Sequence, residues 1–376
     1  MVSVHIDTAR TWRGGQNQVL LTVLGLRAMR HRAVLVAHPD GELLRRASEG
    51  HDLIPLAPRS EVDLSTAWRL SRILKGLNPS IVHAHDPHAV AAAALALSIG
   101  PPPSRPALVA SRRVDFHMQG NSFSRWKYRQ VDRFIAASRA IHAMLVADGV
   151  PPERIVTIHE GIDVDRVTAT PPAAIHQEFW LPAHAPVVGN VAALVPHKGH
   201  RYLIDAALRV VQEVPDARFM ILGEGPLRPA LEKQIAAHRL EKHVLLAGFR
   251  TDALAMHRAF DLFVLSSVTE GLGTSLLDAM ASSKAVVATR AGGIPEVVTD
   301  GETGLLVEPR DPPALAEALV RLLKNDRLRR EMGIAGLARV REHFSADRMV
   351  RKTVEIYGQT AGTHREGDKP SLSVRG

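Results

Sequence analysis

The stretch VTEGLGTSLLDAMA, from Val268 to Ala281, places two carboxylates on either side of a glycine-rich turn. Glu270 stands before the turn, and Asp278 follows eight residues later. The apolar run DLFVL, from Asp261 to Leu265, precedes them and predicts a buried strand. A strand followed by a turn with carboxylates is a typical place for ligand chemistry in a parallel sheet.

The residues after the turn predict a helix that begins near Gly273 and runs through Ala281. The first backbone N–H groups of a helix have no partner inside it, and glycine lets an anion approach them closely. Asp278 could lie along the same edge and accept two hydrogen bonds from a ribose diol. The alternative is a helix capped by threonine or serine, with Asp278 in solvent. The spacing alone leaves both interpretations open.

Histidines at the end of another apolar run offer a second site. HAHDPH, from His83 to His88, has residue types that bind zinc, and it resembles the motif of binuclear metal hydrolases with Asp86 one place early. Contact with an acceptor or sugar and a structural role are the alternatives. The sequence DVD, from Asp163 to Asp165, imitates a metal-binding motif, but we interpret it as structural.

Composition and charge limit the function classes. The chain has 376 residues and no cysteine, so disulfides and thiolate metal sites are impossible. Its formal charge is +8, and residues 1–170 hold 21 lysines and arginines against 15 aspartates and glutamates. This basic half favours an anionic partner such as phosphates or an anionic membrane. Nucleic acid is disfavoured because no binding motif is present and aromatic residues are 4%.

Apolar runs alternate with helical patterns along most of the chain. This β-α-β alternation predicts an α/β protein with parallel sheets covered by helices. It pauses from Ile162 to Pro186, which reads as a linker, and then restarts. We therefore expect two doubly wound, Rossmann-like halves that face a central cleft. The expected bounds are a first domain over 1–165, a second over 166–345, a C-terminal helix over 346–360 packing back on the first domain, and a disordered tail over 361–376.

One basic stretch of the first half contains aromatic residues. SRWKYRQVDR, from Ser124 to Arg133, suits an interfacial site or an anionic acceptor. A solvated helix face with Trp126 packed inward explains the pattern equally well.

Several motifs together resemble family 4 of the retaining glycosyltransferases, which have the GT-B fold. EGLGTSLLDAMA is similar to the E-x7-E segment of that family, and Gly14 and Gly15 are similar to its first glycine-rich loop. The segments HAH, HKG, GEGPL, AGFRTD, AGGIPE and GETGLLV follow in the family's order. The resemblance covers about residues 1–360 and is densest in the second half.

The resemblance implies transfer of a sugar from a nucleotide-diphosphate donor, with retention and without a metal. It implies the following roles: diphosphate binding by Gly14, Gly15, Lys198, Gly273, Thr274, Ser275 and Leu276; donor-sugar binding by Glu270 and Gly271; ribose or base binding by Asp278, Gly223, Gly225, Phe249 and Arg250; acceptor-side contacts by His83, His85, Asp86 and Arg112. Glu270, Lys198, Arg113 and His117 are the expected catalytic residues.

Three positions depart from the family pattern. Ala193 stands where the family usually has an arginine for the diphosphate, and Arg13, Arg112 or Arg113 could substitute for it. Asp278 stands where glutamate is usual, so its carboxyl reaches about one methylene less far. The usual histidine after the fourth strand is missing, and Arg113 or His117 could fill its role.

We therefore expect a glycosyltransferase that moves a hexose-type sugar from a UDP- or GDP-linked donor to a lipid-linked or cell-envelope glycan. The expected partners are the donor, the acceptor and an anionic membrane, with no nucleic acid and no cofactor. The expected location is the cytoplasm, with peripheral contact to the inner membrane. A nucleotide-sugar 2-epimerase, a nucleotide-sugar sensor without turnover and a metal hydrolase are the alternatives.

Overall fold

The computed structural model describes residues 1–47, 52–118 and 120–367, and side chains as far as residue 362. The chain forms two compact units. The first comprises Met1–Glu160 and Ala346–Gly376, and the second comprises Gly161–Ser345. The division lies five residues before the domain boundary that we expected from the sequence.

The first unit contains a parallel sheet of seven strands in the order β3-β2-β1-β4-β5-β6-β7. Its strands are β1 (Val2–Asp7), β2 (Arg32–Ala37), β3 (Leu53–Pro55), β4 (Ile81–Ala84), β5 (Ala107–Arg112), β6 (Arg133–Ala136) and β7 (Ile155–Thr157). Its helices are α1 (Gly14–Ala28), α2 (Glu42–Arg46), α3 (Leu64–Leu77), α4 (Pro87–Ile99), α5 (Ser122–Arg129) and α6 (Arg139–Ala147).

The last helix of the chain also belongs to the first unit. It runs over Ala346–Gly367 and is labelled α16 below. It packs so closely on α1 that a Cβ atom on Gly25 would lie 2.5 Å from a methyl group of Val350. The sequence-based tail began at residue 361, whereas the helix continues to Gly367, and residues 368–376 lie outside the described part.

The second unit contains a parallel sheet of six strands in the order β10-β9-β8-β11-β12-β13. Its strands are β8 (Val187–Val191), β9 (Arg218–Leu222), β10 (Val244–Gly248), β11 (Leu262–Leu265), β12 (Val286–Thr289) and β13 (Gly304–Val307). Its helices are α7 (Val164–Ala169), α8 (Ile175–Glu178), α9 (His200–Glu213), α10 (Arg228–Ala237), α11 (Ala253–Ala259), α12 (Thr274–Ala281), α13 (Ile294–Val297), α14 (Pro312–Leu323) and α15 (Asp326–His343).

Two expectations about segments need correction. The stretch from Ile162 to Pro186 is not a linker, because it contains α7 and α8 and buries Ile162, Val167 and Ile175 in the core of the second unit. The short strands β3 and β7 escape sequence analysis because three residues are too few to show a period.

Several helices begin at a side-chain cap. Asp63 accepts a hydrogen bond from the backbone N–H of Thr66 and so caps α3, which begins at Leu64. Ser138 caps α6 in the same way through Ile141. Among the helices that the structure describes, none is both long and apolar enough to span a bilayer.

Candidate active site

The glycine-rich turn of the second unit joins β11 to α12. Gly273, the residue before α12, has a φ of +91°, a conformation that glycine adopts without strain. No side chain caps this helix, although Thr274 and Ser275 begin it. The N–H of Leu276 donates to the carbonyl of Gly273 at 2.9 Å, whereas no partner is described for the N–H groups of Thr274 and Ser275. Those two groups are available to an anion, as the anion interpretation of the sequence requires.

Glu270 and Lys198 meet beside this helix start. The Lys198 Nζ donates to Glu270 Oε2 at 2.5 Å, and the Ser267 hydroxyl donates to the same oxygen at 3.0 Å. Glu270 is 9% exposed. Both charged groups are already desolvated and oriented. When a ligand binds, the carboxylate can accept from a sugar hydroxyl and the ammonium can donate to a phosphate, at little reorganisation cost.

Close backbone packing fixes the position of Glu270. Gly292, with a φ of +50°, lies so near that a Cβ atom on it would be 1.8 Å from the carbonyl oxygen of Glu270. The N–H of Gly293 donates to that oxygen at 3.1 Å. Gly199, after Lys198, approaches Ser266 in the same way, with 2.0 Å between its would-be Cβ and the Ser266 oxygen. Because these glycines lack a Cβ atom, the backbone around Lys198 and around Glu270 can pack this closely.

Asp278 lies in α12 and faces α7. Burial raises the pKa of its carboxyl to about 7, against a smaller opposing effect of the Arg166 charge. Within the described residues its carboxyl makes no hydrogen bond, so its acceptor capacity is available to a ligand hydroxyl. This environment fits the ribose role that the sequence suggested.

The expected base-binding residues lie on neighbouring strand ends, after β9 and β10. A Cβ atom on Gly223 would lie 2.0 Å from the oxygen of Ala192, and one on Gly225 would lie 2.4 Å from the oxygen of Leu194. Both glycines therefore serve to pack this loop against the one that follows β8. Phe249 is 57% exposed and available to a ligand.

Arg250 is engaged elsewhere. It donates to Glu178 at 2.6 Å and to Asp252 at 2.7 and 2.8 Å. Two carboxylates around one guanidinium already satisfy most of its donors. A base contact from this residue would therefore have to come from a donor that remains free or from its stacking surface.

In the first unit, three buried histidines lie together at the carboxyl ends of β1 and β4. His5 Nδ1 and His85 Nε2 are 3.1 Å apart, and His85 Nδ1 is 3.2 Å from the guanidinium of Arg113. Because arginine only donates, His85 Nδ1 accepts and His85 Nε2 carries the proton. His5 then accepts at Nδ1 and donates from Nε2 to Ser3, which is 3.1 Å away. Arg113 thus sets the tautomers of both His85 and His5.

His83 joins the first unit to its last helix. His83 Nδ1 lies 2.5 Å from the hydroxyl of Tyr357 in α16, and His83 Nε2 lies 2.8 Å from the hydroxyl of Ser111. Tyr357 is fully buried. Burial lowers the pKa of His5 to about 3 and that of His83 and His85 well below the ordinary value, so all three rings are neutral at physiological pH.

The histidine cluster could be considered as a metal site, since its nitrogen atoms lie within 4.8 Å of one another. A metal ion, however, would break the hydrogen bond between His5 and His85 and would lie beside the positive charge of Arg113. The six ring nitrogens already have hydrogen-bond partners. The geometry favours a hydrogen-bonded chain.

Arg113 lies next to the first glycine-rich loop. Its Nε is 3.0 Å from Glu160 Oε1, and its Cδ would lie 3.9 Å from a Cβ atom on Gly15. Gly14 and Gly15 begin α1, and the side chain of Gln16 anchors that turn to Asp7 at 3.2 Å. The first unit therefore presents the oriented Arg113 guanidinium beside a helix start formed by two glycines.

Comparison with known proteins follows the same division. The family described as Glycosyltransferase Family 4 matches residues 12–166, and the family described as Glycosyl transferases group 1 matches residues 185–325. The chain belongs to the group 1 glycosyltransferases. These two matches cover the loops that hold Gly14, Arg113, Lys198 and Glu270, and they leave out His5 and Tyr357.

Individual relatives agree with this assignment. The chain is 27% identical to the N-acetyl-alpha-D-glucosaminyl L-malate synthase of Bacillus anthracis over 78% of each chain. It is 35% identical to a GDP-mannose-dependent phosphatidylinositol monomannoside mannosyltransferase of Mycolicibacterium smegmatis, over 50% of this chain and about half (51%) of that enzyme. Anabaena HepE in complex with UDP-glucose has the same GT-B fold, with a TM-score of 0.84, 22% identity, and coverage of 96% of this chain and 100% of that one.

Three residues expected on the acceptor side of this glycosyltransferase have structural partners instead. Asp86 caps α4 and also accepts hydrogen bonds from the N–H and hydroxyl of Thr8. The buried Arg112 donates to the carbonyl of Phe116, and burial lowers its pKa. His117 is held by Asp148 at 2.5 Å and shares no described hydrogen bond with the histidine chain. None of the three is therefore joined to Arg113.

Ala193 lies in the second unit, whereas Arg13, Arg112 and Arg113, the candidates to replace the missing arginine, lie in the first, so this replacement stays a prediction. The sequence also missed Ser267, Glu160 and Tyr357. A serine three residues before Glu270 is a weak signal that could have been noticed. Glu160 and Tyr357 carry no such signal, because their partners are far away along the chain.

Proposed function

We propose that this glycosyltransferase moves a hexose-type sugar from a UDP- or GDP-linked donor, with retention at the anomeric carbon, to a lipid-linked or cell-envelope glycan. The second unit binds the donor. The reaction requires no metal ion. The observation that carries the proposal is the Lys198–Glu270 pair beside the uncapped start of α12.

Each part of this site matches a charge that develops in the reaction. As the glycosidic bond breaks, negative charge grows on the leaving diphosphate, where Lys198 and the N–H groups of α12 stabilise it. Glu270 accepts hydrogen bonds from hydroxyls of the donor sugar, and Asp278 accepts them from the ribose. The departing phosphate accepts the proton of the acceptor hydroxyl, so the protein needs no separate base.

Relatives support the donor and acceptor classes. One is named as GDP-mannose-dependent and acts on a phosphatidylinositol mannoside, and a structure with the same fold was solved with UDP-glucose. The excess of positive charge in residues 1–170 suits an anionic lipid acceptor at the cytoplasmic face of a membrane. Neither relative is named as an epimerase.

A donor panel tests the proposal. Purified protein is incubated with UDP- and GDP-linked hexoses, with and without a chelator, and release of nucleoside diphosphate is measured. We expect release from one donor, at a rate that the chelator leaves unchanged. Loss of release on chelation would contradict a metal-free reaction. Conversion of the donor to its epimer, or binding without release, would replace the transferase proposal by one of the alternatives.

Variants of the charge pair test the site. Lys198→Ala and Glu270→Ala should each lower kcat by about 100-fold or more, because each removes a group that acts on transition-state charge. The matched control is Lys324→Ala. Lys324 forms an exposed ion pair with Glu213, and its N···O distance of 2.6 Å is close to the 2.5 Å of the Lys198–Glu270 pair. Near-normal release in the first two variants would refute the site assignment.

A further inference from the structure

Helix α3 of the first unit has two distinct faces. Its buried face packs on α4 and on the sheet, and its members are Thr66, Ala67, Leu70, Ser71 and Leu74. The opposite face is exposed over its full length, with Leu64, Ser65, Trp68, Arg69, Arg72, Lys75 and Gly76. The helix therefore presents one unpartnered face of about four turns.

Large apolar side chains occupy the first half of the exposed face. Leu64 is 60% exposed and Trp68 is 52% exposed, and they are neighbours because they stand four residues apart. Val62, just before the helix, is 53% exposed. Exposed apolar residues are common one at a time, but three at one helix start, including a tryptophan, indicate an interaction surface.

Positive charges occupy the second half. Arg69, Arg72 and Lys75 all lie on the exposed face, and α3 contains no aspartate or glutamate. Arg72 covers the ring of Trp68, with 5.2 Å between its guanidinium carbon and the ring centre. The face is therefore apolar at one end and purely cationic at the other.

The two described carboxylates that closely precede α3 in the chain have partners outside this face. Asp63 caps the helix and accepts hydrogen bonds from Thr66, Ser65 and Arg59, which hold the pKa of its carboxyl well below the usual range. Glu61 pairs with the buried ammonium of Lys127. Both negative charges thus have partners of their own.

The segment that the sequence suggested for an interface is not this surface. In α5, Lys127 is 1% exposed and paired with Glu61, and Trp126 packs with partial burial against the core. Lys127 and Trp126 therefore support the fold, whereas Arg125 and Arg129 are exposed. In contrast with α5, α3 combines exposed basic residues with an exposed tryptophan and leucine.

Topology places the apolar end of α3 near the acceptor-side cluster. The helix connects β3 to β4, and these strands are parallel members of one sheet. It therefore runs against the strands, and its first turn lies at the edge where the strands end. His85 and Arg113 follow the ends of β4 and β5 at that same edge.

We propose that the α3 surface, formed by Val62, Leu64, Trp68, Arg69, Arg72 and Lys75, docks on an anionic lipid bilayer. Leu64 and Trp68 enter the headgroup region, where tryptophan is favoured, and the cations attract acidic lipids. A second copy of the chain is a poor occupant, because the same face would bring like charges together. This inference rests on the proposed function, which supplies the lipid-linked acceptor. It adds that the lipid binds at the edge of the sheet where the acceptor-side residues lie.

Vesicle flotation of the full chain tests the surface without any substrate. Vesicles of phosphatidylcholine alone are compared with vesicles that contain 30% phosphatidylglycerol, in low and in high salt. We expect binding to the anionic vesicles only, and its loss in high salt. Trp68→Ser should lower the partition coefficient about tenfold, and Arg69→Gln with Arg72→Gln should lower it about 25-fold, at about fivefold for each charge.

Trp180 provides the matched control. It is 92% exposed and lies in the second unit, so Trp180→Ser removes an exposed tryptophan without touching α3. Equal loss with Trp180→Ser, or equal binding to neutral vesicles, would overturn the proposal. So would a dimer in solution that Trp68→Ser dissociates, because the surface would then be an interface between copies.

The outcome can be separated from that of the proposed function. Lys198→Ala should bind anionic vesicles as the natural chain does, whereas Trp68→Ser should keep donor hydrolysis in the absence of lipid. Failure of vesicle binding with normal donor release would refute the α3 surface alone. Failure of donor release with normal vesicle binding would refute the transferase proposal alone.

Discussion

The second unit places its main candidate residues at strand ends and in the turns that follow them, whereas the first unit places its candidate histidines inside a buried network. Lys198 and Glu270 meet because short glycine loops bring neighbouring strand ends together. His5, His83, His85 and Tyr357 meet because distant strands and the last helix pack into one core. A site of the first kind can be recognised in a local motif, and one of the second kind cannot.

The largest expected effect tests whether the close backbone packing at Gly292 positions Glu270 in the second unit. Gly292→Ala would drive a Cβ atom into the carbonyl of Glu270 and force a left-handed alanine. We expect donor turnover to fall at least about 100-fold and stability to fall by about 3 kcal/mol. Gly301→Ala is the control, since Gly301 has a φ of +78° with no atom within 4 Å of the added carbon. Similar losses in both variants would contradict this role.

The next prediction compares one carboxyl from each unit. The folded pKa of Asp278 is about 7, above its usual value of 3.8. Between these pH values the folded chain holds a proton that the unfolded chain has lost, so stability falls as pH rises, by up to about 1.4 kcal/mol per pH unit. Asp278→Asn should remove this slope in denaturation measured from pH 4 to pH 7.

Asp7 of the first unit should behave alike but over a narrower range. Burial and the nearby Asp86 raise its pKa to about 6. The slope that remains after Asp278→Asn should therefore end near pH 6 and disappear when Asp7→Asn is added. Donor affinity should rise with pH through 7 in the natural chain but not in Asp278→Asn. The reason is that the ionised Asp278 carboxylate can accept hydrogen bonds from two ribose hydroxyls, whereas the protonated form accepts them less well. An unchanged slope in Asp278→Asn would contradict its burial as the cause.

A smaller effect tests the buried network of the first unit. Tyr357→Phe removes the hydroxyl beside His83 and leaves a buried ring nitrogen without that partner. We expect a loss of about 1–2 kcal/mol in the free energy of unfolding, measured with denaturant. Tyr202→Phe in the second unit, where the ring is half-buried, should change it by less than about 0.5 kcal/mol. A loss as small as that control would show that His83 does not depend on α16.

The smallest effect concerns the exposed tryptophan of the second unit. Trp180 has a φ of +55° and packs against almost nothing. Asparagine tolerates this conformation better, so Trp180→Asn should raise stability by about 0.5 kcal/mol. A loss of stability would mean that the tryptophan makes contacts that its exposure does not suggest.

The sequence predicted the α/β class, the two halves and most strands, while the donor-binding role of its site residues stays a prediction. These features can be predicted because the strand and helix periods are local. A glycine-rich turn before a helix is also a local pattern, and it is typical of anion binding. The sequence misplaced the boundary at residue 165, and it treated the segment with α7 and α8 as a linker, since these short helices are stabilised by packing on α12.

What the sequence determined by itself is the strand–turn–helix motif with its two carboxylates, because Glu270, the turn and Asp278 lie within nine residues and their geometry follows from one strand and one helix. Only the tertiary structure decided the rest. It engaged Asp86, Arg112 and His117 in structural contacts, it linked Arg113 through His85 to His5, and it left the apolar and cationic face of α3 exposed. Such outcomes depend on which distant atoms pack together, and no local pattern of residues contains that information.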